Sequence, residues 1–239
     1  MFHETLGSAA PLPRWKRSID LACCVFALPF LALCAALVAI LMSISSRGPI
    51  FFRQDRVGYK GRRFRLYKFR TMHVAVETAS HQAHFAALVQ SNAPMQKMDS
   101  RRDSRLIPGG WLIRASGLDE LPQILNVWQG DMSIVGPRPC IPYEYEQYTA
   151  EQRARFDAVP GLTGLWQVSG KNRTTFNEMI SLDIAYAGRK SAWLDLKIIA
   201  LTPFALAVQI LDTRRGRRSS AAKIPVREPQ ATSPVQNTT

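Results

Sequence analysis

The sequence predicts an α+β chain, mostly helical with one small β-hairpin, held on a membrane by an N-terminal helix and by amphipathic helices lying in the interface. Three observations predict this: a long uncharged apolar run near the N-terminus, two basic-aromatic segments around a glycine turn, and a second apolar element too short to cross a bilayer. They divide the chain into an N-terminal extension (1–13), a membrane helix (14–47), a main body with interfacial helices (48–211) and a disordered basic tail (212–239).

From Leu21 to Ser46 there is no charge, which is enough chain to cross a hydrocarbon core of roughly 30 Å. The run is too long for the apolar core of a signal peptide, and Ser45-Ser46-Arg47 is a poor cleavage site. Arg14, Lys16 and Arg17 precede it, and Arg47, Arg53, Arg56 and Lys60 begin a longer basic series after it. Both flanks therefore favour the cytoplasm. Pro29 removes a helical hydrogen bond and crowds the preceding turn. A re-entrant helix that enters, bends near Pro29 and leaves on the same face satisfies both observations; the alternative is a single-pass span with a proline kink.

The net charge of +13 over 239 residues calls for an anionic partner: nucleic acid, an anionic membrane surface or a phosphorylated substrate. Nucleic acid has charge alone in its favour, since no reading motif accompanies it and the apolar run counts against it. Of the four cysteines, Cys23, Cys24 and Cys34 lie in the apolar run and Cys140 stands apart, with no C-x-x-C spacing. They read as reduced and packed, as in a cytoplasmic protein.

After the membrane run, residues 48–54 and 64–72 alternate basic and apolar side chains around Val57-Gly58-Tyr59-Lys60-Gly61. This predicts a hairpin or two extended segments with one cationic face, suited to lipid headgroups or to a diphosphate. A polar helix is expected from Val74 to Gln90; within it Glu77, His81 and His84 fall at helical spacing, but no further ligand completes a metal site.

The stretch Ser116–Pro139, SGLDELPQILNVWQGDMSIVGPRP, concentrates the candidate chemistry. Leu121, Ile124, Leu125 and Trp128 recur at helical spacing, predicting a helix from about Asp119 to Gln129. Ser116 stands three residues before Asp119 in capping-box spacing, and Pro122 fits a first turn. Asp119 and Glu120 are thereby placed at the positive end of the helix; the plain alternative is that they only stabilise that end. Met132 to Val135 reads as a short strand, closed by the rigid Gly136-Pro137-Arg138-Pro139. A helix is expected over Pro142–Phe156, a shaped loop with strand pieces over 160–173, and an interfacial helix from Ser191 to Leu211.

Taken together, Lys16-Arg17 with Asp20, the segment from Gly48 to Gln54, Lys68-Phe69-Arg70-Thr71-Met72, Leu118 to Gln123, Asn126, the segment from Gly130 to Pro139, and Pro160 to Gly164 resemble the bacterial sugar transferases. These are the small monotopic phosphoglycosyl transferases that use polyprenyl phosphate, and the similarity is to their one-domain exopolysaccharide members. It covers about residues 14–211. The resemblance implies transfer of a hexose-1-phosphate from a UDP-sugar, galactose or glucose favoured, to undecaprenyl phosphate at the cytoplasmic face of a bacterial inner membrane. The products are undecaprenyl diphosphate-sugar and UMP, and the step opens exopolysaccharide or capsule synthesis. It further implies Asp119 as nucleophile through a phosphoaspartyl intermediate, Glu120 as its partner, and Mg2+ held by both. Lys68 and Arg114 then bind phosphate, Pro137, Arg138 and Pro139 bind nucleotide, and Pro29 marks the membrane bend. A homodimer is left open. Three departures from the family pattern are His73 to Val76 after the Arg-Thr-Met, Leu106 to Gly110 before the acids, and Gly117 in place of Ser or Thr.

The competing function is a non-catalytic membrane-surface adaptor, its cations on anionic lipid and its acids merely capping a helix. A rim salt bridge is the corresponding plain role for Arg138.

Overall fold

The apolar run folds as one long helix, α1 (Arg14–Ser45), in a computed structural model that describes residues 12–45, 48–73, 106–170 and 173–221. α1 continues unbroken through Pro29, so the expected break in the helix is not formed. Its length and composition suffice to cross a membrane. One side of α1 buries Lys16, Asp20, Cys24, Leu31, Val38 and Met42, and the other exposes Phe26, Phe30, Leu33, Leu37 and Ile40, with Phe26 at 85%.

The base of α1 is a polar plug. Lys16, 2% exposed, donates to the Val135 carbonyl at 2.8 Å, the Tyr186 hydroxyl at 2.9 Å and Asp195 Oδ2 at 2.6 Å. Arg17 donates to the carbonyls of Val127 and Trp128, both at 2.6 Å, and Asp20 Oδ1 accepts from Ser133 Oγ and the Ile134 N–H, both at 2.8 Å. Lys16, one of the cations flanking the apolar run, is thus buried in the body. A buried cation is tolerated only with its donors satisfied and a counter-charge in contact, and Asp195 supplies that charge.

The hairpin forms as expected: β1 (Phe51–Val57) pairs antiparallel with β2 (Arg63–Phe69) around a 3-10 turn at Tyr59–Gly61. The single cationic face does not. In the register Phe52↔Lys68 and Arg56↔Phe64, Lys68 and Arg56 share one face while Arg53, Arg63 and Arg65 lie on the other, because successive side chains on a strand alternate.

α2 (Gly110–Ser116) comes next, then a 3-10 turn (Leu118–Glu120) and α3 (Gln123–Gln129). Ser116 does not cap the acidic turn; it belongs to α2, and its hydroxyl donates back to the Ile113 carbonyl. Between α2 and the turn stands Gly117 at φ 76°, ψ 3°, a left-handed conformation that Ser or Thr adopts at a cost. That departure from the family pattern suits the backbone found here. α3 buries Gln123, Ile124, Asn126 and Val127, whereas Trp128 of the expected apolar stripe is 46% exposed.

The expected strand appears as β3 (Ser133–Val135), paired parallel to β4 (Gly161–Thr163). The two backbones meet so closely that a Cβ at Gly136 would strike the Val159 carbonyl, and one at Gly161 would strike the Gly136 nitrogen. The expected helix over 142–156 is instead three pieces: α4 (Pro142–Gln147), α5 (Ala150–Arg153) and a 3-10 turn (Ala154–Asp157). Tyr148 ends the first, and Thr149 caps the second, accepting from the Gln152 N–H while Gln152 Oε1 accepts from the Thr149 N–H.

After β4 come α6 (Leu165–Val168) and α7 (Phe176–Arg189), a helix absent from the sequence expectations, then α8 (Ala192–Ala221). α8 runs past Leu211 into the arginine-rich segment assigned above to the tail. It exposes Trp193, Leu196, Leu201, Phe204 and Val208. The described residues thus form a mostly helical α+β fold with two small sheets. The expected helix Val74–Gln90, with Glu77, His81 and His84, lies outside the described residues.

The glycines give a stability test. Gly161→Ala should lose about 1–3 kcal/mol or more, the range for overpacking, while Gly188→Ala in α7, with no heavy atom within 4 Å of the added methyl, should gain about 0.5–1 kcal/mol. Thermal unfolding in one detergent measures both; equal effects at the two positions would contradict the close strand contact.

Candidate active site

Three elements converge on the acidic pair. The 3-10 turn presents Asp119, 5% exposed, and Glu120. The hairpin face presents Lys68, whose Nζ stands 3.5 Å from Glu120 Oε1. The segment after β3 brings Arg138, whose charge is felt at both Lys68 and Arg56. Burial pushes the Lys68 ammonium below its ordinary value while the Glu120 carboxylate pulls it back up. In a half-buried site these charges are weakly screened, so a phosphate arriving there meets strong fields.

What holds the hairpin on α3, the helix that follows the acidic turn, is Asn126. It is fully buried; its Oδ1 accepts from the Tyr67 N–H at 3.0 Å and its Nδ2 donates to the Arg65 carbonyl at 2.7 Å. The side-chain amide thus pairs the outer edge of β2 as a neighbouring strand would. Lys68 follows directly after this pairing and is fixed relative to Asp119 and Glu120.

Arg114, on α2, reaches Thr71 Oγ1 at 3.5 Å, three residues beyond Lys68. Its helix leads directly into the acidic turn, so it lies at the site's edge. Pro137, Arg138 and Pro139 follow β3; the Arg138 charge acts on Lys68, and the Pro139 carbonyl accepts from Arg56 Nη1. The Arg138 carbonyl accepts from Arg155 Nη2 at 2.9 Å. The same guanidinium contacts Asp183 Oδ2 at 2.5 Å and the Tyr148 hydroxyl at 2.9 Å, with Arg155 and Asp183 each 1% exposed. Burial pushes the Asp183 carboxyl up, to about 6, against the pull of Arg155. Pro29 lies within α1, apart from this cluster.

Sequence patterns missed Arg56 and the Arg155–Asp183 pair. Arg56 was visible only as part of a basic series; the strand register puts it on the Lys68 face. Its Nη2 donates to Gln54 Oε1 at 2.8 Å and its Nη1 to the Pro139 carbonyl at 3.4 Å. α7, which carries Asp183, had a readable start: Thr175 accepts from the Glu178 N–H and Glu178 from the Thr175 N–H, a capping box written T-x-x-E.

As metal ligands, Asp119 and Glu120 offer two adjacent carboxylates, and among the described residues no group of three His, Cys, Asp or Glu side chains gathers. This donor set fits a hard cation that keeps some water and shares a substrate's phosphate oxygens, the habit of Mg2+, rather than a closed structural site.

The acidic pair is faced by Lys68, in a chain whose first helix is long and apolar enough to cross a membrane. The chain belongs to the bacterial sugar transferase family, whose sequence model matches residues 12–209. It is 42% identical over 202 residues to the galactosyl transferase CpsE of Streptococcus agalactiae, covering 83% of this chain and 42% of that protein. To the UDP-glucose:undecaprenyl-phosphate glucose-1-phosphate transferase of Caulobacter vibrioides it is 37% identical over 211 residues, 83% of this chain and 73% of the relative. To the exopolysaccharide production protein ExoY of Rhizobium meliloti it is 33% identical over 203 residues, 83% and 88% of the two chains. This chain thus spans less than half the length of CpsE and most of the other two.

The buried pair behind Arg138 makes a test. Arg155→Leu leaves Asp183 buried without its counter-charge and should lose roughly 3–5 kcal/mol, whereas adding Asp183→Leu should recover most of that loss. Denaturant unfolding of the two variants checks it; a double variant no more stable than the single would show that the pair is not the source.

Proposed function

We propose that this protein transfers a hexose-1-phosphate from a UDP-sugar to a polyprenyl phosphate, undecaprenyl phosphate being the acceptor named for the Caulobacter relative, and releases UMP. The observation that carries it is the half-buried Asp119–Glu120 pair with Lys68 on Glu120. Asp119 attacks the phosphorus that bears the sugar. As its carboxylate oxygen bonds to that phosphorus, the bond to the bridging oxygen breaks and the electron pair leaves with UMP. The lipid phosphate then attacks the phosphoaspartyl group, forming the diphosphate and freeing Asp119.

A carboxylate approaches a diphosphate only when the mutual repulsion is offset. Lys68 and Arg114 supply positive charge at the phosphoryl being transferred, and Pro137, Arg138 and Pro139 hold the nucleotide side. Mg2+ held by Asp119 and Glu120 would neutralise phosphate charge. The neutralised pair of charges is what an adaptor has no need to bury, which favours the enzyme.

In this reading α1, unbroken in the described structure, bends near Pro29 in lipid, so that it enters the cytoplasmic face of a bacterial inner membrane and returns to it. The polar plug supports this: Lys16, Arg17 and Asp20 bind the body at the start of α1, and the basic hairpin follows its end, so both ends belong on the body's side. The exposed apolar side chains of α8 lie in the interface. Glucose or galactose is the sugar favoured, by the names of the relatives.

Membranes carrying the protein should release UMP from UDP-glucose or UDP-galactose when polyprenyl phosphate and Mg2+ are present. EDTA should abolish release, Asp119→Asn should reduce it by at least about a thousandfold, and Glu120→Gln should reduce it strongly. Undiminished turnover by Asp119→Asn would remove Asp119 as nucleophile.

A further inference from the structure

Arg56 is the cation of the site that the proposed reaction leaves unused. It is 8% exposed, and its Nε is buried with no hydrogen-bond partner among the described residues. A guanidinium has five N–H donors, and among the described residues those of Arg56 find only the Gln54 amide oxygen and, at 3.4 Å, the Pro139 carbonyl. The contrast with Arg155 is direct. That arginine is also buried but rests on Asp183, whereas Arg56 forms no ion pair among the described residues, and the largest charge effect on it comes from another cation, Arg138, with Glu144 and Glu120 opposing from beyond ion-pair contact. Two neighbouring cations, one of them buried with a donor unspent, describe a receptor for an anion.

Position along the hairpin decides which anion. Lys68 sits opposite Phe52, which is 46% exposed and follows closely on α1. Arg56 lies four residues further along β1, about 13 Å at ~3.3 Å per residue, next to Val57, which bridges to Cys140 just past Pro139. The hairpin therefore carries one cation at its apolar, membrane-proximal end and one at the end against the Pro137–Pro139 segment.

We propose that Arg56, together with Arg138, binds the nucleotide-side phosphate, the group that departs with the nucleoside monophosphate, while Lys68 serves the phosphoryl nearer the lipid. The proposal rests on the sugar-phosphate transfer reading given above. When the bridging bond breaks, the electron pair stays on the departing oxygen. Charge on the leaving phosphate rises without any proton moving, and Arg56 and Arg138 are placed to receive it.

The test uses the full-length protein in lipid nanodiscs with UMP as probe, measured by calorimetry in the Asp119→Asn background so that no turnover intervenes. Arg56→Gln should weaken UMP binding about ten- to hundredfold. Arg56→Lys, which keeps the charge but not the fork, should lose part of that affinity. With Asp119 restored, the KM for the UDP-sugar should rise in both variants while the KM for polyprenyl phosphate stays unchanged. UMP affinity unaltered in the Lys and Gln variants overturns the proposal, as does a rise confined to the KM for polyprenyl phosphate, which would assign Arg56 to the lipid phosphate. If the Gln variant unfolds, the Lys variant alone decides between these outcomes. Turnover persisting in Asp119→Asn would instead bring down the underlying reaction, and the binding measurement separates the two failures.

Discussion

The amide of Asn126 joins the hairpin to α3, the helix that follows the acidic turn. β2 has β1 on one edge, and its other edge would otherwise leave the Tyr67 N–H and Arg65 carbonyl to water. By taking both, one fully buried side chain makes a seven-residue helix and a two-stranded sheet, neither stable alone, into a single body. The distance between Lys68 and Glu120 is a consequence of that joint.

The remaining segments are set by equally local constraints. Glycines at 136 and 161 let β3 and β4 approach until their backbones touch, which fixes where Pro137 begins. Arg155 then grips the Arg138 carbonyl from behind, with Asp183 as its counter-charge. Flanking prolines and a buried ion pair fix the Arg138 backbone, and its charge acts on Arg56 and Lys68. Order here comes from geometry rather than from the size of the core, which among the described residues is split into two clusters, one around Val127 and Val135 and one around Phe156 and Trp166.

Much of this was readable in the residues, and the failures are instructive. The long apolar helix, the hairpin and the strand ending at Val135 were legible because hydropathy runs and turn glycines are local signals. The acids and Lys68 stood out as chemistry. Ser116 misled, because capping-box spacing cannot see that Gly117 turns the chain left-handed between the serine and the acids. The helix over 142–156 was expected from its acidic and then mixed composition, yet Thr149 offers a better hydrogen-bonding start than continuation does. α7 was missed although Thr175 and Glu178 announce it, its buried face being diluted by Asp183, a charge that only the fold supplies with a partner. Arg56 was lost among many arginines, since which face of a strand a side chain takes depends on register with a segment elsewhere.

The plug at the base of α1 bears on how such a protein can be divided. Lys16, Arg17 and Asp20 belong to the anchor by position but to the body by contact, reaching β3, the end of α3, and Asp195 of α8. Cutting the chain behind α1 to obtain a soluble fragment would strip Asp195 of its cation and the Ile134 N–H of its acceptor. The body and its anchor are therefore one folding unit, and any attempt at excision, fusion or domain exchange has to carry the first turns of α1 along with the body.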